Sequence, residues 1–215
     1  CIFPVGLMMI VFVGGELFTG DCMMSMAWMQ RKIHFADMLR TLVLVYVSNF
    51  IGAALIAFLV AHSGEYDYSS GALGAYTIKV AYGKVHLSFA NALVSGILCN
   101  ILVCVAVLMA AAAKDIAGKV LAIFFPILAF VVSGFEHCVA NMYYIPAGIF
   151  ASKNAAYAAK ALELYNIDST QLSSLNWGSF AISNLIPVTI GNIIGGALLV
   201  GGACFYLHGK SLHES

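Results

Sequence analysis

A short polar stretch in the middle of a long apolar run is the most constraining feature of this chain. Residues 120–150 are long enough to cross a bilayer, and Glu136 and His137 lie near their centre beside Gly134. Ionisable side chains at that depth are costly, so they indicate a polar path through a membrane. The run therefore predicts a transmembrane segment that is broken at its middle.

Composition extends the membrane interpretation to the whole chain. Of the 215 residues, 62% are hydrophobic and 9% are charged, and the mean hydropathy is +0.95. A soluble domain of this length does not need so much apolar surface. The net charge is zero and the Lys and Arg residues are scattered, which does not indicate a nucleic-acid surface. We interpret residues 1–215 as a single all-α transmembrane domain.

Five apolar segments have the length of a membrane span, which is roughly 20 residues. Two of them contain glycine beside an acid, the first at Gly15 and Glu16 and the fourth at Gly134 and Glu136. Unwound backbone survives at membrane depth only where protein or a cavity covers it, so both segments are predicted to be broken helices. The five segments are residues 1–29, 39–62, 87–113, 120–150 and 177–207.

The distribution of basic residues predicts the orientation of the spans. Short connections and the tail place Arg31, Lys32, Arg40, Lys114, Lys119 and Lys210 on one side of the cell membrane. Basic residues mark the cytoplasmic side, so the C-terminal tail is expected to be cytoplasmic. The remaining lysines, Lys79, Lys84, Lys153 and Lys160, fall in two longer segments interpreted as loops.

An internal repeat relates two spans. Residues 49–55, NFIGAAL, match residues 192–198, NIIGGAL, and each copy follows a broken span. Equivalent spans are three crossings apart, so the halves run in opposite directions, as in many transporters and channels. Chance similarity between helices rich in small residues is the alternative. The second half, residues 87–208, has three spans, whereas the first half, residues 1–62, has two. We therefore expect a six-span protein whose first span lies before residue 1, which also agrees with a chain that does not begin with Met.

Several motifs in a fixed order resemble the formate/nitrite transporter family of anion channels over nearly the whole chain. They are residues 15–19 (GELFT), 84–86 (KVH), 134–137 (GFEH), 140–142 (ANM) and 184–192 (NLIPVTIGN). The resemblance implies an aquaporin-like fold in each protomer, with two broken helices meeting at its centre. It also implies a homopentamer with one pore through each protomer.

The resemblance also implies which residues form the pore. His137 corresponds to the family's central histidine, Thr19 to its loop threonine and Lys84 to its vestibule lysine. Asn100 corresponds to a polar asparagine of the third span. Hydrophobic constrictions correspond to Phe3, Leu7, Leu17, Phe18, Val103 and Phe130.

Physical chemistry supports the same roles. An anion that crosses an apolar barrier needs attraction at the mouth, which the Lys84 ammonium offers. Thr19 can donate one hydrogen bond to a small carboxylate-like solute. The ordinary pKa of histidine, about 6.5, allows His137 to exchange a proton near neutral pH. A solvated loop lysine and a histidine buried for packing are the alternative readings of Lys84 and His137.

The other polar side chains are interpreted as structural. Glu16 and Glu136 occupy matching places in the two breaks, where they are expected to accept hydrogen bonds from unwound backbone and to point away from the path. Asn141, Asn184 and Asn192 are expected to join broken and intact helices. The six cysteines show no metal-ligand spacing and are interpreted as small buried hydrophobes, so no metal or cofactor is expected.

Three other functions fit parts of the sequence. A haem-carrying subunit needs two facing histidines, whereas only His137 lies near mid-membrane. A water or glycerol channel suits the inverted repeat, although neither break has the expected Asn-Pro-Ala signature. A proton-coupled carrier for formate or lactate fits a broken helix with an ionisable centre as well as a channel does. We predict a channel in membrane lipid, not an enzyme, for a small monovalent anion such as formate, nitrite or hydrosulfide.

Overall fold

The computed structural model describes residues 2–208, and the secondary structure in that range is helical without strands. Lys210, one of the residues behind the predicted orientation, lies outside the described residues. A short 3-10 turn lies at Glu65–Asp67. The helices are α1 (Pro4–Val13), α2 (Phe18–Asp21), α3 (Met24–Met29), α4 (Phe35–Ala61), α5 (Ala72–Val85), α6 (Phe89–Ala112), α7 (Ile116–Val132), α8 (Cys138–Ala151), α9 (Ala155–Tyr165), α10 (Ser169–Ser174) and the last helix (Trp177–Leu207).

Three helices within residues 2–208 are long and apolar enough to cross a membrane, namely α4, α6 and the last helix. Helix α1 and the segment Phe18–Met29 pass the same test together, as one span bent by 68°. Helices α7 and α8 are shorter apolar helices on either side of residues 133–137. The prediction of an all-α membrane fold with two broken helices is confirmed.

A left-handed glycine ends the first half of the first broken helix. Gly14 follows α1 with a φ of 79°, a conformation that glycine adopts without steric cost. The N–H groups of Gly14 and Gly15 both donate to the Ile10 carbonyl at 2.9 Å, which closes the helix end. Leu17 is extended, and α2 begins at Phe18.

The second break repeats this geometry. Gly134 has a φ of 69°. The N–H of Phe135 donates to the Phe130 carbonyl at 3.1 Å, which corresponds to the bond from Gly15 to Ile10. In each break, three residues separate the left-handed glycine from the next helix. The matching geometry agrees with one broken span in each half of an inverted repeat.

The chain forms two compact units. Among the described residues, the first unit comprises residues 2–47, 93–137 and 188–208, and the second comprises Ser48–Ala92 and Cys138–Pro187. Both breaks therefore belong to the first unit.

The first unit has an apolar core contributed by α1, α6 and α7. Leu7, Val103 and Phe130 are each at most 6% exposed. The rings of Phe3 and Phe130 meet edge to face with their centroids 5.4 Å apart. The buried members of this apolar cluster are Leu7, Cys99, Val103, Ala106, Ala110, Ile123, Ile127 and Phe130.

Glycines bring the last helix close to α6 in the first unit. A Cβ added at Gly191 would meet the carbonyl of Leu93, and one added at Gly195 would meet the carbonyl of Ile97. Small residues allow membrane helices to approach through their backbones, which maximises packing where no water drives association. This contact fixes the position of Asn192 against α6.

The last helix is not a uniform α-helix. Its segments Phe180–Leu185 and Ile194–Val200 are π-helical. In the first unit, the hydroxyl of Ser25 on α3 donates to the carbonyl of Ala197, inside the second π-helical segment, at 2.9 Å. A Cβ added at Gly201 would meet the same hydroxyl.

Gly195→Ala is expected to lower the free energy of unfolding by about 1–3 kcal/mol. The new methyl group would overlap backbone atoms of Ile97, which cannot move away as a flexible side chain could. Gly52 is the matched control, since it is the equivalent residue of the repeat and an added Cβ there has nothing within 4 Å. Thermal unfolding of both variants in detergent measures the difference. Equal melting temperatures would contradict the close helix approach.

The second unit packs α5 against α8 and α9. A Cβ added at Gly148 of α8 would meet that of Ala81 in α5. The Tyr157 ring of α9 lies against Gly74, and its hydroxyl donates to the Asp67 carboxylate at 2.7 Å. This hydrogen bond raises the pKa of the Tyr157 phenol above its ordinary value. Helices α5 and α9 occupy the two segments that were interpreted as loops from the sequence, and that interpretation was wrong.

Candidate functional site

The two breaks meet at a hydrogen bond between Thr19 and His137. Thr19 is the second residue of α2, and His137 is the last residue before α8. Thr19 Oγ1 and His137 Nε2 are 2.9 Å apart, although 118 positions separate these residues in the chain. Their side chains are buried, with 0% and 6% exposure. The structure thus brings together two residues that were predicted for the pore centre.

Phe130 covers one face of the His137 imidazole. The two rings are stacked, with centroids 5.8 Å apart and an interplanar angle of 22°. A neutral imidazole has one donor and one acceptor nitrogen, so the Thr19 hydroxyl can accept a hydrogen bond from Nε2 or donate one to it. The polar pair therefore has an apolar wall on the side of Phe130.

Most of the residues predicted for constrictions belong to the apolar cluster. Leu7, Val103 and Phe130 are buried members, and Phe3 and Leu17 pack against it while partly exposed. Phe18 is also buried, but its ring faces Tyr46, with centroids 4.8 Å apart. The structure groups five of these six residues.

Asn192 joins the last helix to α6 and to the second break. Its Nδ2 donates to the Gly96 carbonyl at 2.8 Å and to the Glu136 carbonyl at 3.0 Å. Asn100 Nδ2 donates to the Asn192 carbonyl at 2.7 Å. Both asparagines are fully buried, so these bonds satisfy donors that have no access to water. Asn192 therefore has contacts both on α6 and on the second break.

Cys104 connects Asn100 back to Thr19. Cys104 Sγ lies 3.4 Å from the Thr19 carbonyl oxygen and 3.6 Å from Asn100 Oδ1. A thiol has one proton and donates to one of them at a time. With the bond between Thr19 and His137, these contacts form a closed path that we call the break ring. The break ring consists of Thr19, Cys104, Asn100, Asn192, Glu136 and His137.

Sequence reasoning missed the contact of Cys104. The residue type suggested a small buried hydrophobe, and Cys104 is indeed fully buried. The available signal was spacing, because Cys104 follows Asn100 by four positions and shares its helix face. A polar neighbour on that face gives a buried thiol a hydrogen-bonding environment.

The two acids of the breaks have different surroundings. Glu136 is 4% exposed, and its N–H donates to Ser95 Oγ at 3.1 Å. Glu16 is exposed. The second break is held by α6 and the last helix through Ser95 and Asn192, which explains the burial of Glu136. Matching positions in the repeat therefore do not produce matching environments.

The remaining predicted residues lie in the second unit. Lys84 is in the last turn of α5, and its Nζ is 5.7 Å from the centroid of the Tyr144 ring. Asn184 Nδ2 donates to the Lys84 carbonyl at 2.9 Å, and Asn184 Oδ1 accepts from Asn141 Nδ2 at 2.7 Å. These asparagines hold the end of α5 to α8 and to the last helix.

Hydrogen bonding and proton exchange are the chemistry that the break ring offers. Thr19, Cys104 and the two asparagines are neutral hydrogen-bonding groups, whereas a histidine can take up a proton near neutral pH. Within the described part of the chain, no three His, Cys, Asp or Glu side chains are grouped to hold a metal ion.

The fold and this site define a multi-pass membrane protein of the broken-helix transport class. The chain belongs to the formate/nitrite transporter family, because the sequence model of that family matches residues 1–206. It is 42% identical over 210 residues to the uncharacterized transporter YrhG of Bacillus subtilis, covering 97% of this chain and 70% of the relative. It is 38% identical over 200 residues to the formate channel FocA of Haemophilus influenzae, covering 93% and 70%.

A solved structure has the same fold. It is described as a pentameric formate channel with formate bound. The TM-score is 0.82 and the identity is 33%, over 95% of this chain and 80% of that chain.

Proposed function

We propose that this protein is a channel for formate, with nitrite and hydrosulfide as alternative small anions of weak acids. The observation that carries the proposal is the hydrogen bond between Thr19 and His137 at the meeting point of the breaks. The relative from Haemophilus influenzae is named a formate channel, and the solved structure is described with formate bound. Both support formate as the substrate.

The proposed mechanism reduces the charge of the anion where the path is most apolar. An unpaired charge beside Leu7, Val103 and Phe130 is costly, because burial removes its hydration. The Thr19 hydroxyl donates one hydrogen bond to the anion, and protonated His137 donates a second bond or the proton itself. The solute then passes the apolar walls close to neutral.

Lys84 is proposed to attract anions to the mouth of the pore. We expect Lys84→Gln to lower formate flux about three- to tenfold at low ionic strength, and less in physiological salt because ions screen the charge. Lys79→Gln is the control, since Lys79 is on the same helix with its Nζ 4.8 Å from the Tyr165 ring centroid. Flux into proteoliposomes at two ionic strengths measures the effect. Equal losses in both variants would contradict a specific role of Lys84.

The proposed assembly is a homopentamer, as described for the solved relative. Helix α4 supplies an apolar surface for such contacts or for lipid, because only 11% of its most apolar stretch of residues is buried within one chain. Leu44, Ile51 and Leu55 on this helix are each more than half exposed. Cross-linking in mild detergent is expected to produce a ladder ending at five subunits. A product that stops at the monomer would contradict the assembly.

A proton-coupled carrier is the second candidate function. It is favoured by the same observation of a titratable side chain, His137, buried at the meeting of two breaks. Flux that saturates at low formate and moves protons in a fixed ratio supports the carrier. Non-saturating flux without a fixed proton ratio supports the channel.

Uptake into proteoliposomes tests the proposed function. Formate, nitrite, hydrosulfide, lactate, chloride and glycerol are compared as the pH is lowered from about 8 to 5, the range over which histidine titrates. Selective passage of a weak-acid anion that increases at lower pH is expected. Glycerol passage without anion passage would overturn the proposal in favour of a neutral-solute channel.

A further inference from the structure

We propose that Cys104 is a positioning residue that holds Thr19 in hydrogen-bonding contact with His137. The inference rests on the proposed function of Thr19 and His137 at the pore centre. Its basis is the 3.4 Å contact between Cys104 Sγ and the Thr19 carbonyl oxygen.

The Thr19 carbonyl is available to the thiol because the helix tightens just after the first break. In a continuing α-helix the N–H of Met23 would donate to the Thr19 carbonyl. It donates instead to the carbonyl of Gly20, at 3.1 Å. The Thr19 carbonyl therefore does not accept the usual helical hydrogen bond from Met23, and the Cys104 thiol approaches it instead.

Fixing the carbonyl also fixes the hydroxyl of the same residue. A hydrogen bond to the Thr19 carbonyl restrains the peptide plane that follows Thr19. A β-branched side chain has few rotamers for a given backbone, so the restrained backbone also restrains Oγ1. The Thr19 hydroxyl is thereby kept at its 2.9 Å distance from His137 Nε2.

Cys104 itself has little freedom to move. It is fully buried on the long helix α6, and a Cβ added at Gly196 would lie 2.9 Å from its Sγ. Asn100 Oδ1, the second acceptor, is 3.6 Å away, which is farther than the Thr19 carbonyl oxygen. The packed last helix therefore confines the thiol beside the first break.

Other titratable groups near the breaks enter any pH-dependent readout. Glu136 precedes His137 directly and is buried with it. Changing Cys104 leaves every one of the other groups in place, so the substitution isolates the thiol contact. Besides His137 and Cys104, the titratable side chains in or next to the breaks and on α6 and α7 are Glu16, Asp21, Cys22, Cys99, Lys119, Glu136 and Cys138.

The experiment compares Cys104→Ala, Cys104→Ser and Cys99→Ala. Cys99 is the matched control, because it is an equally buried thiol on the same helix. The first readout is the Nε2 chemical shift of His137 in histidine-labelled protein in detergent, assigned by the signal that His137→Asn removes. The second readout is the pH profile of formate flux in proteoliposomes.

We expect Cys104→Ala to displace the His137 Nε2 resonance and to lower the pH-dependent flux about threefold, as for the loss of one weak hydrogen bond. Cys104→Ser keeps an O–H donor and is expected to retain most of both properties. Cys99→Ala is expected to leave the His137 Nε2 resonance at its wild-type position, and this resonance is the readout for which it serves as the control. Identical behaviour of Cys104→Ala and Cys99→Ala would overturn the inference, as would a serine variant that behaves like the alanine variant.

The two readouts separate this inference from the proposed function. If the wild type conducts no formate, the function fails, and the His137 resonance still decides the role of Cys104. If flux depends on pH and on His137 but Cys104→Ala leaves resonance and flux unchanged, the positioning role fails and the function stands.

Discussion

Replacing His137 by Phe is expected to lower formate flux at acidic pH by about 100-fold and to abolish its increase as the pH falls. Phenylalanine fills the space beside Phe130 but cannot donate a proton or a hydrogen bond, so the anion meets the apolar walls with its full charge. A 100-fold loss corresponds to about 2.7 kcal/mol in the barrier, a fraction of the cost of burying an unpaired charge. Initial uptake rates in proteoliposomes from about pH 5 to 8 provide the measurement.

A second substitution separates titration from hydrogen bonding. His137→Asn retains a partner for the Thr19 hydroxyl but does not titrate, so its flux is expected to be independent of pH and higher than that of the Phe variant. His34→Asn is the control, because His34 is exposed ahead of α4. A pH profile that survives in His137→Asn would remove the imidazole from the mechanism.

Asn192→Leu is expected to cost about 2–4 kcal/mol of folding stability. Leucine has a similar size, but it leaves the buried carbonyls of Gly96 and Glu136 without their Asn192 donor, and each such loss costs about 1–3 kcal/mol. Thermal unfolding in detergent measures the change. The loss is expected to exceed that of any single surface substitution.

Asn91 provides the control for this variant. It is an exposed asparagine on α6, so Asn91→Leu removes the same functional group without burying an unsatisfied carbonyl. An Asn192→Leu protein as stable as Asn91→Leu would show that the hydrogen bonds of Asn192 do not hold the second break.

The spans and breaks could be predicted from the sequence because each depends on one strong local signal. Apolar length reveals a span, and α4 begins and ends within four residues of the predicted segment 39–62. Gly15 with Glu16 and Gly134 with Glu136 indicate the breaks, because glycine near an acid in an apolar run is typical of unwound backbone that protein or a cavity covers. The meeting of Thr19 and His137 came from the family resemblance, since nothing local links residues 118 positions apart.

The errors concern features that depend on tertiary packing. Helix α5 was interpreted as loop because its stabilising contacts, such as those of Gly148 and Tyr157, come from distant segments. Glu136 is buried where Ser95 and Asn192 from distant parts of the chain bind the second break, whereas Glu16 in the first break is exposed.

The π-helical segments of the last helix have a consequence for how this sequence can change. A π turn holds more residues than an α turn, so Ile194–Val200 behaves like a stored single-residue insertion. Deleting one residue there would restore α geometry and leave the later side chains close to their present orientation, so Gly201 would stay beside Ser25. Relatives with a one-residue gap at this position are therefore expected to keep the contact between α3 and the last helix without a compensating insertion.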